Sequence, residues 1–298
     1  MAVLGQSMRA QEARLAYLLI LPTVLIVAGL VLYPVLYNVW LSFHQVTTGN
    51  LGEAAPFVGL ENYRYVIKDV TRFLPALRTT FVYSIVGMFL SLGVGLVAAL
   101  LLNEQFRGRG LARGIMLFPY AAPTIAMAQI FKWIVQPNGL VNWILMEANI
   151  IPEPRAWLTE RGLALPAVLL FQTWKYFPFC MLMILARLQA VDTTLYEAAE
   201  VDGANTWHKF WYVTLPELRY VLGAVFLLRL IWTFNKFDDI FLLTGGGFGT
   251  NVLPVLTYQF SFKSYDFGKG AANAMILLLI LVVFLLVYVS TVMRGAKE

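Results

Sequence analysis

Apolar residues fall along this chain in long, almost unbroken stretches separated by short polar ones. Six stretches stand out, at 15–43, 79–102, 114–131, 163–185, 218–234 and 270–293. A helix needs about 20 apolar residues to cross the hydrocarbon of a bilayer. Helices and closed barrels alone satisfy their backbone groups there. The pattern predicts an all-α, polytopic membrane protein with six transmembrane helices. The first stretch is longer than spanning requires, so only part of it crosses. The fourth and fifth each contain an interior cation, Lys175 and Arg229.

The segments between and within these stretches add detail. Tyr33, Tyr37 and Trp40 cluster near the end of the first stretch, as aromatics do at a membrane interface. The following loop, 44–78, has a polar run at 47–53 and then Phe57-Val58-Gly59-Leu60-Glu61-Asn62-Tyr63. That run reads as a turn followed by a short amphipathic helix on the membrane surface. Gly87, Ser91 and Gly95 recur every four residues, a small-residue face that lets helices approach closely. Gly93, Gly95 and Ala98 also fit a loose dinucleotide-binding fingerprint. That motif must follow a strand and open a helix, so inside an apolar run helix packing is the better reading. Pro119 and Pro123 lie in the third stretch and predict a kink with freed carbonyls, tolerated where neighbouring protein satisfies them. Loop 134–162 has a turn at Pro137-Asn138-Gly139 and breakers at Pro152 and Pro154. Loop 235–268 contains Leu242-Leu243-Thr244-Gly245-Gly246-Gly247-Phe248-Gly249-Thr250, a flexible turn without the lysine of a phosphate-cradling loop.

Composition narrows the class. The chain has 298 residues, 59% of them hydrophobic and 13% charged, with a mean hydropathy of +0.70. Soluble domains carry roughly a quarter charged residues, so a soluble enzyme is excluded. The net charge of +5 needs no nucleic acid, because basic loops set membrane topology. Arg9, Arg14, Arg107, Arg109, Arg113, Arg187, Lys209, Arg219, Arg294 and Lys297 fall on one side, in the shorter total length of loop and tail. Arg64, Lys68, Arg72, Arg78, Arg155, Arg161, Lys236 and Lys263 fall on the other. The denser side is the cytoplasmic one, which places both termini in the cytoplasm and agrees with an even number of helices. Arg9 and Arg14 ahead of a long apolar run, with no small-residue cleavage site, indicate an uncleaved first helix. The single cysteine, Cys180, cannot form an internal disulfide and reads as a buried structural thiol. His44 and His208 lie in different loops, and no metal-ligand or catalytic constellation is present. The chain has no means of binding ATP, so any ATP-driven step belongs to another chain.

The most informative polar island is 187–219. Thr194 and Glu197 have the spacing of a capping box at a helix start. Ala198 and Ala199 favour helix and keep its surface open to a docking partner. Gly203 suits the left-handed residue that ends a helix. Asn205 suits the cap of a second short helix through Trp207 and Trp211. Pro216 suits the first turn of the next transmembrane helix. The segment predicts two short helices joined by a turn on the cytoplasmic face.

The complete pattern Glu197-Ala198-Ala199, Gly203 and then Val213-Thr214-Leu215-Pro216 resembles the EAA loop of the membrane subunits of binding-protein-dependent ABC importers. Val213 stands where that family usually has isoleucine. Leu21-Pro22, the Phe57–Tyr63 run, Trp174 with Pro178, and Phe237-Asp238-Asp239-Ile240 leading into Leu242-Leu243-Thr244-Gly245-Gly246 resemble the carbohydrate branch. The overall pattern is similar to its maltose- and glycerol-phosphate-type first permeases, although Gly247 replaces a proline common in that branch. The resemblance implies a single permease domain, 1–298, of a prokaryotic cytoplasmic (inner) membrane. It implies that Glu197, Ala198, Ala199, Gly203, Leu215 and Pro216 dock on an ATP-binding subunit. It implies a heterodimer with a second permease, two copies of that ATP-binding subunit carrying ATP and Mg, and an extracytoplasmic substrate-binding protein. This chain would itself bind no cofactor and no metal.

Charges inside membrane helices are costly and default to function. At 1.5 Å per residue, Lys175 and Arg229 lie roughly 16–18 Å into their stretches, near mid-membrane. Trp174, Tyr176, Phe179 and Trp232 supply aromatic faces near them, and Thr233 and Asn235 supply polar groups. A sugar wants both kinds of surface, and two cations also suit an anionic sugar derivative or a glycerol phosphate ester. Equally, Lys175 can snorkel outward and Arg229 can pair with a carboxylate of the partner permease. An ion-coupled carrier would want intramembrane carboxylates and leaves the polar hairpin unexplained.

Overall fold

In the computed structural model, residues 2–50 and 55–292 are described, with side chains from residue 12 to residue 290. Arg294 and Lys297, the side chain of Arg9 and part of the polar run 47–53 lie outside the described residues. Nearly all of the rest is helical. Among the described residues the only strand-like pairings are isolated bridges, His44 with Phe57 and Thr47 with Asp266.

Among the described residues, four helices are long and apolar enough to cross a membrane: Glu12–Ser42, Phe73–Asn103, Ala164–Leu188 and Phe267–Ser290. The first is built from α1 (Ala2–Val27), a π-turn (Ala28–Leu32) and α2 (Tyr33–Ser42). After α3 (Glu61–Lys68) come α4 (Phe73–Asn103), α5 (Arg109–Ala121), α6 (Thr124–Val135) and α7 (Leu140–Glu147). The third apolar stretch is therefore not one kinked helix. It breaks between α5 and α6, and the chain turns through 98° there. Pro123 excludes the helical conformation from the residue before it, and Ala122 is extended, with φ −72° and ψ 148°. If the broken pair is one span, five segments meet the length and apolarity that crossing demands. The fifth stretch forms α11 (Leu215–Phe234), 20 residues long but charged at Glu217, Arg219 and Arg229. The remaining helices are α8 (Ala164–Leu188), α9 (Thr193–Val201), α10 (Thr206–Lys209), α12 (Asp238–Thr244), α13 (Leu253–Tyr258) and α14 (Phe267–Val292).

Two segments read as loops contain helices. Loop 134–162 holds α7 after its Pro-Asn-Gly turn, and loop 235–268 holds α12 and α13. The glycine run does form a turn, opened by Gly245 at φ +64°, where a residue lacking Cβ is needed.

The chain packs as two compact units, residues 1–68 with 257–276 and residues 69–256 with 277–298. In the first, the turn at Gly59 leads into α3 as its sequence predicts. Buried Asn62 on α3 donates to the carbonyls of Ser42 and His44 at 3.0 and 2.9 Å, holding the end of α2. The second unit is organised by the crossing of α4 and α8. Among membrane helices, lipid is as apolar as leucine, so close packing rather than hydrophobicity drives association. Gly87, Ser91 and Gly95 form that packed face. A Cβ on Gly95 would lie 2.6 Å from the Cys180 Cβ, 2.9 Å from the Met181 nitrogen and 3.0 Å from the Phe177 oxygen. A Cβ on Gly87 would overlap the amide of Gln172. Cys180 is fully buried at this crossing. Phe81, Phe234 and Phe284 join α4, α11 and α14, with ring centroids 5.2–5.7 Å apart.

Candidate functional site

The 187–219 segment forms a hairpin fixed at both helix ends. Asp192, not Thr194, caps α9: its carboxylate accepts from the Thr194 backbone N–H at 3.0 Å. The capping box does not form, because the helix starts two residues earlier than the Thr194–Glu197 spacing suggests. Aspartate is at least as good a cap as threonine, and Asp192 sits where the chain leaves α8. Bonds from the Thr194 backbone N–H, and then its hydroxyl, hold the Asp192 carboxyl below its ordinary range. At the other end Gly203 adopts φ +81°. Its N–H donates to the Glu200 carbonyl at 3.0 Å, and the Ala204 N–H donates to the Ala199 carbonyl at 2.9 Å. This is the paired closure expected of a glycine-terminated helix. Asn205 caps α10, accepting from the His208 N–H at 2.9 Å.

The second short helix does not stop before the next long one. A π-turn (Phe210–Thr214) joins α10 to α11, with the Leu215 N–H donating to the Phe210 carbonyl. Pro216 has no N–H to offer the preceding turn, and the wider turn accommodates it. The helix therefore runs unbroken from Thr206 to Phe234. Ion pairs between Lys209 and Glu200, and between Arg187 and Glu217, brace the hairpin. Tyr196 and Thr214 share a hydroxyl contact at 3.1 Å. Glu197, Ala198, Gly203 and Pro216 are exposed, while Ala199 and Leu215 are half-buried. Leu195, Val201, Trp207, Trp211 and Tyr212 are exposed beside them, Val201 to 90%. An apolar surface of this kind marks an interaction site.

A cavity of about 500 Å³ opens at the other end of α11, lined by Tyr120, Tyr176, Arg229, Trp232, Asn235, Lys236, Phe237 and Asp238. Four of the eight residues anticipated for a substrate path thus line it: Tyr176, Arg229, Trp232 and Asn235. Phe179 lies just behind, its ring 5.1 Å from Trp232 and 6.0 Å from Tyr120. Trp174 packs into the core next to Phe171, at 6.4 Å. Thr233 is buried away from the opening. Lys175 is 2% exposed and points to backbone rather than into the cavity. Its Nζ donates to the carbonyls of Pro119 and Ala122 at 3.1 and 2.9 Å, so it does not snorkel outward.

Arg229 is 3% exposed. Its guanidinium lies over the Tyr176 ring at 4.6 Å, and its Nε and one terminal nitrogen have no hydrogen-bond partner among the described residues. Stacking on an aromatic face gives a buried cation partial compensation. Lys236 pairs with Asp238 at 3.0 Å, which leaves Arg229 as the lining charge without a carboxylate beside it. Sequence reasoning missed the group that organises this wall. Asp239, fully buried, accepts from the hydroxyls of Tyr83 and Tyr176, each at 3.0 Å. It ties α4, α8 and α12 together, and only a three-dimensional arrangement reveals it. A second, larger groove of about 650 Å³ between α4, α11 and α14 is lined almost entirely by apolar side chains and offers little to a polar ligand. Among the described residues no group of His, Cys, Asp and Glu could hold a metal ion.

Helices long and apolar enough to cross a membrane, an exposed capped hairpin and a polar cavity between helices are the features of a membrane transport protein. The model of the binding-protein-dependent transport system inner membrane component family matches residues 91–295, and the chain belongs to that family. It is 36% identical over 289 residues to the trehalose/maltose transport system permease protein MalF of Thermococcus litoralis, covering 96% of each. It is 31% identical over 269 residues to the trehalose transport system permease protein SugA of Mycobacterium tuberculosis, covering 90% of this chain and 85% of that one. A chain of a bacterial ABC transporter involved in the import of the acidic polysaccharide alginate shares its fold. There the TM-score is 0.85 at 20% identity, over 97% of this chain and 98% of the other.

Proposed function

We propose that this chain is the permease subunit of an ATP-driven ABC importer that moves a sugar or oligosaccharide handed over by an external binding protein. It would work with a second permease and two copies of an ATP-hydrolysing subunit, with ATP and Mg bound to those copies. In this reading residues 1–298 form one permease domain. α11 supplies the sixth crossing, both termini face the cytoplasm, and 187–219 is the cytoplasmic coupling loop.

One observation carries the proposal: a single unbroken helix joins the hairpin to the cavity. From Trp207 to Arg229 it extends about 33 Å at 1.5 Å per residue. Movement imposed on the hairpin by a docked partner therefore reaches Arg229, Trp232 and Asn235 as rigid-body displacement. Such displacement of packed elements is how access switches from one side to the other. Glu197, Ala198, Ala199, Gly203, Leu215 and Pro216 would form the docking surface. In the cavity, Tyr120 and Trp232 present flat apolar faces to a sugar ring, and Asn235, Lys236 and Asp238 present hydrogen-bonding groups. The names of the trehalose and maltose relatives favour a disaccharide. The lone charge of Arg229 favours, as a second reading, a sugar carrying an acidic group.

Uptake into right-side-out vesicles tests this. Labelled trehalose or maltose, supplied with the binding protein, should accumulate only when ATP is trapped inside, whether or not a protonophore is present. Accumulation that ignores ATP and collapses with the protonophore would establish an ion-coupled carrier instead.

A further inference from the structure

We propose that Lys175 is a positioning residue that holds the break between α5 and α6, and thereby sets Tyr120 in the cavity wall. It would serve transport without touching the transported molecule. The proposal rests on the cavity being the transport path.

In an unbroken helix the Pro119 carbonyl would accept from the N–H of residue 123. Proline there has none, so the carbonyl is left without its partner. The Ala122 carbonyl, at the extended residue that ends α5, has no helical partner either. Buried backbone groups left unmade are costly. Lys175 reaches across from α8 and gives one donor to each carbonyl, at 3.1 and 2.9 Å. An ammonium is suited to this place, because it has several donors and no acceptor. It also lies at the C-terminal end of α5, where the helix dipole favours positive charge. The bend of 98° is thus made possible by Pro123 and held by Lys175.

The two gripped carbonyls flank Tyr120 in sequence. Tyr120 lines the cavity, with its ring 6.4 Å from Tyr176 and 6.0 Å from Phe179. Releasing the carbonyls frees the segment that carries this ring, while α11 and its side chains Arg229, Trp232 and Asn235 keep their own packing. The burial of a cation that forms no part of the cavity lining is then explained.

Thiol labelling tests the proposal, and the fully buried Cys180 gives a low background. Tyr120→Cys is labelled with a membrane-permeant maleimide in the assembled transporter, with Lys175 intact, with Lys175→Met and with Lys175→Arg. Asn235→Cys, which also lines the cavity but follows α11 rather than α5, is labelled in the same backgrounds. Loss of a charge-assisted bond to buried carbonyls should shift the Tyr120→Cys rate by about tenfold in Lys175→Met. Lys175→Arg should restore it to within about twofold, since it keeps several donors at the same place. The Asn235→Cys rate should not change. An unaltered rate at Tyr120→Cys in Lys175→Met overturns the proposal. So does a parallel shift at Asn235→Cys, which would mark general loosening instead. Labelling needs neither sugar nor ATP, so a failure here is distinct from a failure of ATP-dependent uptake.

Discussion

The crossing of α4 on α8 leaves no room for a side chain at Gly95. Substituting alanine introduces a Cβ 2.6 Å from the Cys180 Cβ and within 2.9–3.0 Å of main-chain atoms of Met181 and Phe177. Main-chain atoms of a packed helix cannot turn aside as a side-chain tip can. Over-packing of this kind costs about 1–3 kcal/mol. The helix-propensity gain of alanine over glycine offsets roughly 0.5–1 kcal/mol of that. A net loss of about 1–2 kcal/mol follows, or several degrees in melting temperature at about 2–4 °C per kcal/mol for a chain of this size. Gly93 is the control, because a Cβ there meets nothing within 4 Å. Gly93→Ala should be neutral, or stabilising by up to about 1 kcal/mol. The assay is thermal unfolding in detergent, followed by a dye that fluoresces on reacting with a thiol. Cys180 is the only thiol and lies at this very contact, so the signal reports separation of the two helices. Equal melting temperatures for Gly95→Ala and Gly93→Ala would refute the packing argument.

Further expectations concern the hairpin and the cavity wall. Gly203→Ala forces an alanine to φ +81°, at a cost of about 1–2 kcal/mol; faster hydrogen exchange confined to α9 and α10 is the readout. Asp192→Ala removes the cap of α9 and should speed exchange of the first α9 amides. The Asp192 carboxyl is held below its ordinary range by bonds from Thr194. The cap's contribution is therefore complete above that range and is lost as pH falls through the lowered value. Protection of the first α9 amides, taken as exchange relative to the intrinsic rate at each pH, should accordingly fall on acidification, and that fall should vanish in Asp192→Ala. Tyr83→Phe leaves buried Asp239 with Tyr176 as its remaining hydroxyl partner and should destabilise by about 1–3 kcal/mol. Asp239→Asn keeps one accepting oxygen and puts an amide N–H donor in place of the other, which a tyrosine hydroxyl can accept, so it should cost less in the same melting assay.

Much of this was legible because the signals are local. Long apolar stretches foretell helices from length alone, and Gly203, Asn205 and the Gly87–Ser91–Gly95 face behaved as their residue types require. The cap of α9 was misplaced by two residues because Asp192 and Thr194 are both good caps. Only the exit angle from α8 chooses between them. The helices α7, α12 and α13 are too short to show a period and hide among turn residues. Pro216 signalled a helix start, yet the π-turn before it is a response to that proline and has no sequence signature. The site was least legible where partners are distant in sequence. Nothing near Asp239 points to Tyr83, and nothing near Lys175 points to two carbonyls of α5, although Pro119 and Pro123 foretold that carbonyls would be freed.

The central claim is that the hairpin transmits work done by another chain. The most direct measurement is purification of the tagged chain from detergent-solubilised membranes of its own cell, with Ala198→Arg in parallel. Ala198 is exposed, so the substitution alters the hairpin surface and leaves the melting temperature unchanged. An ATP-hydrolysing subunit should accompany the unaltered chain and be lost from Ala198→Arg, together with ATP-dependent uptake. Retention of that subunit by Ala198→Arg, or its absence from the unaltered chain alongside uptake without ATP, would contradict the account.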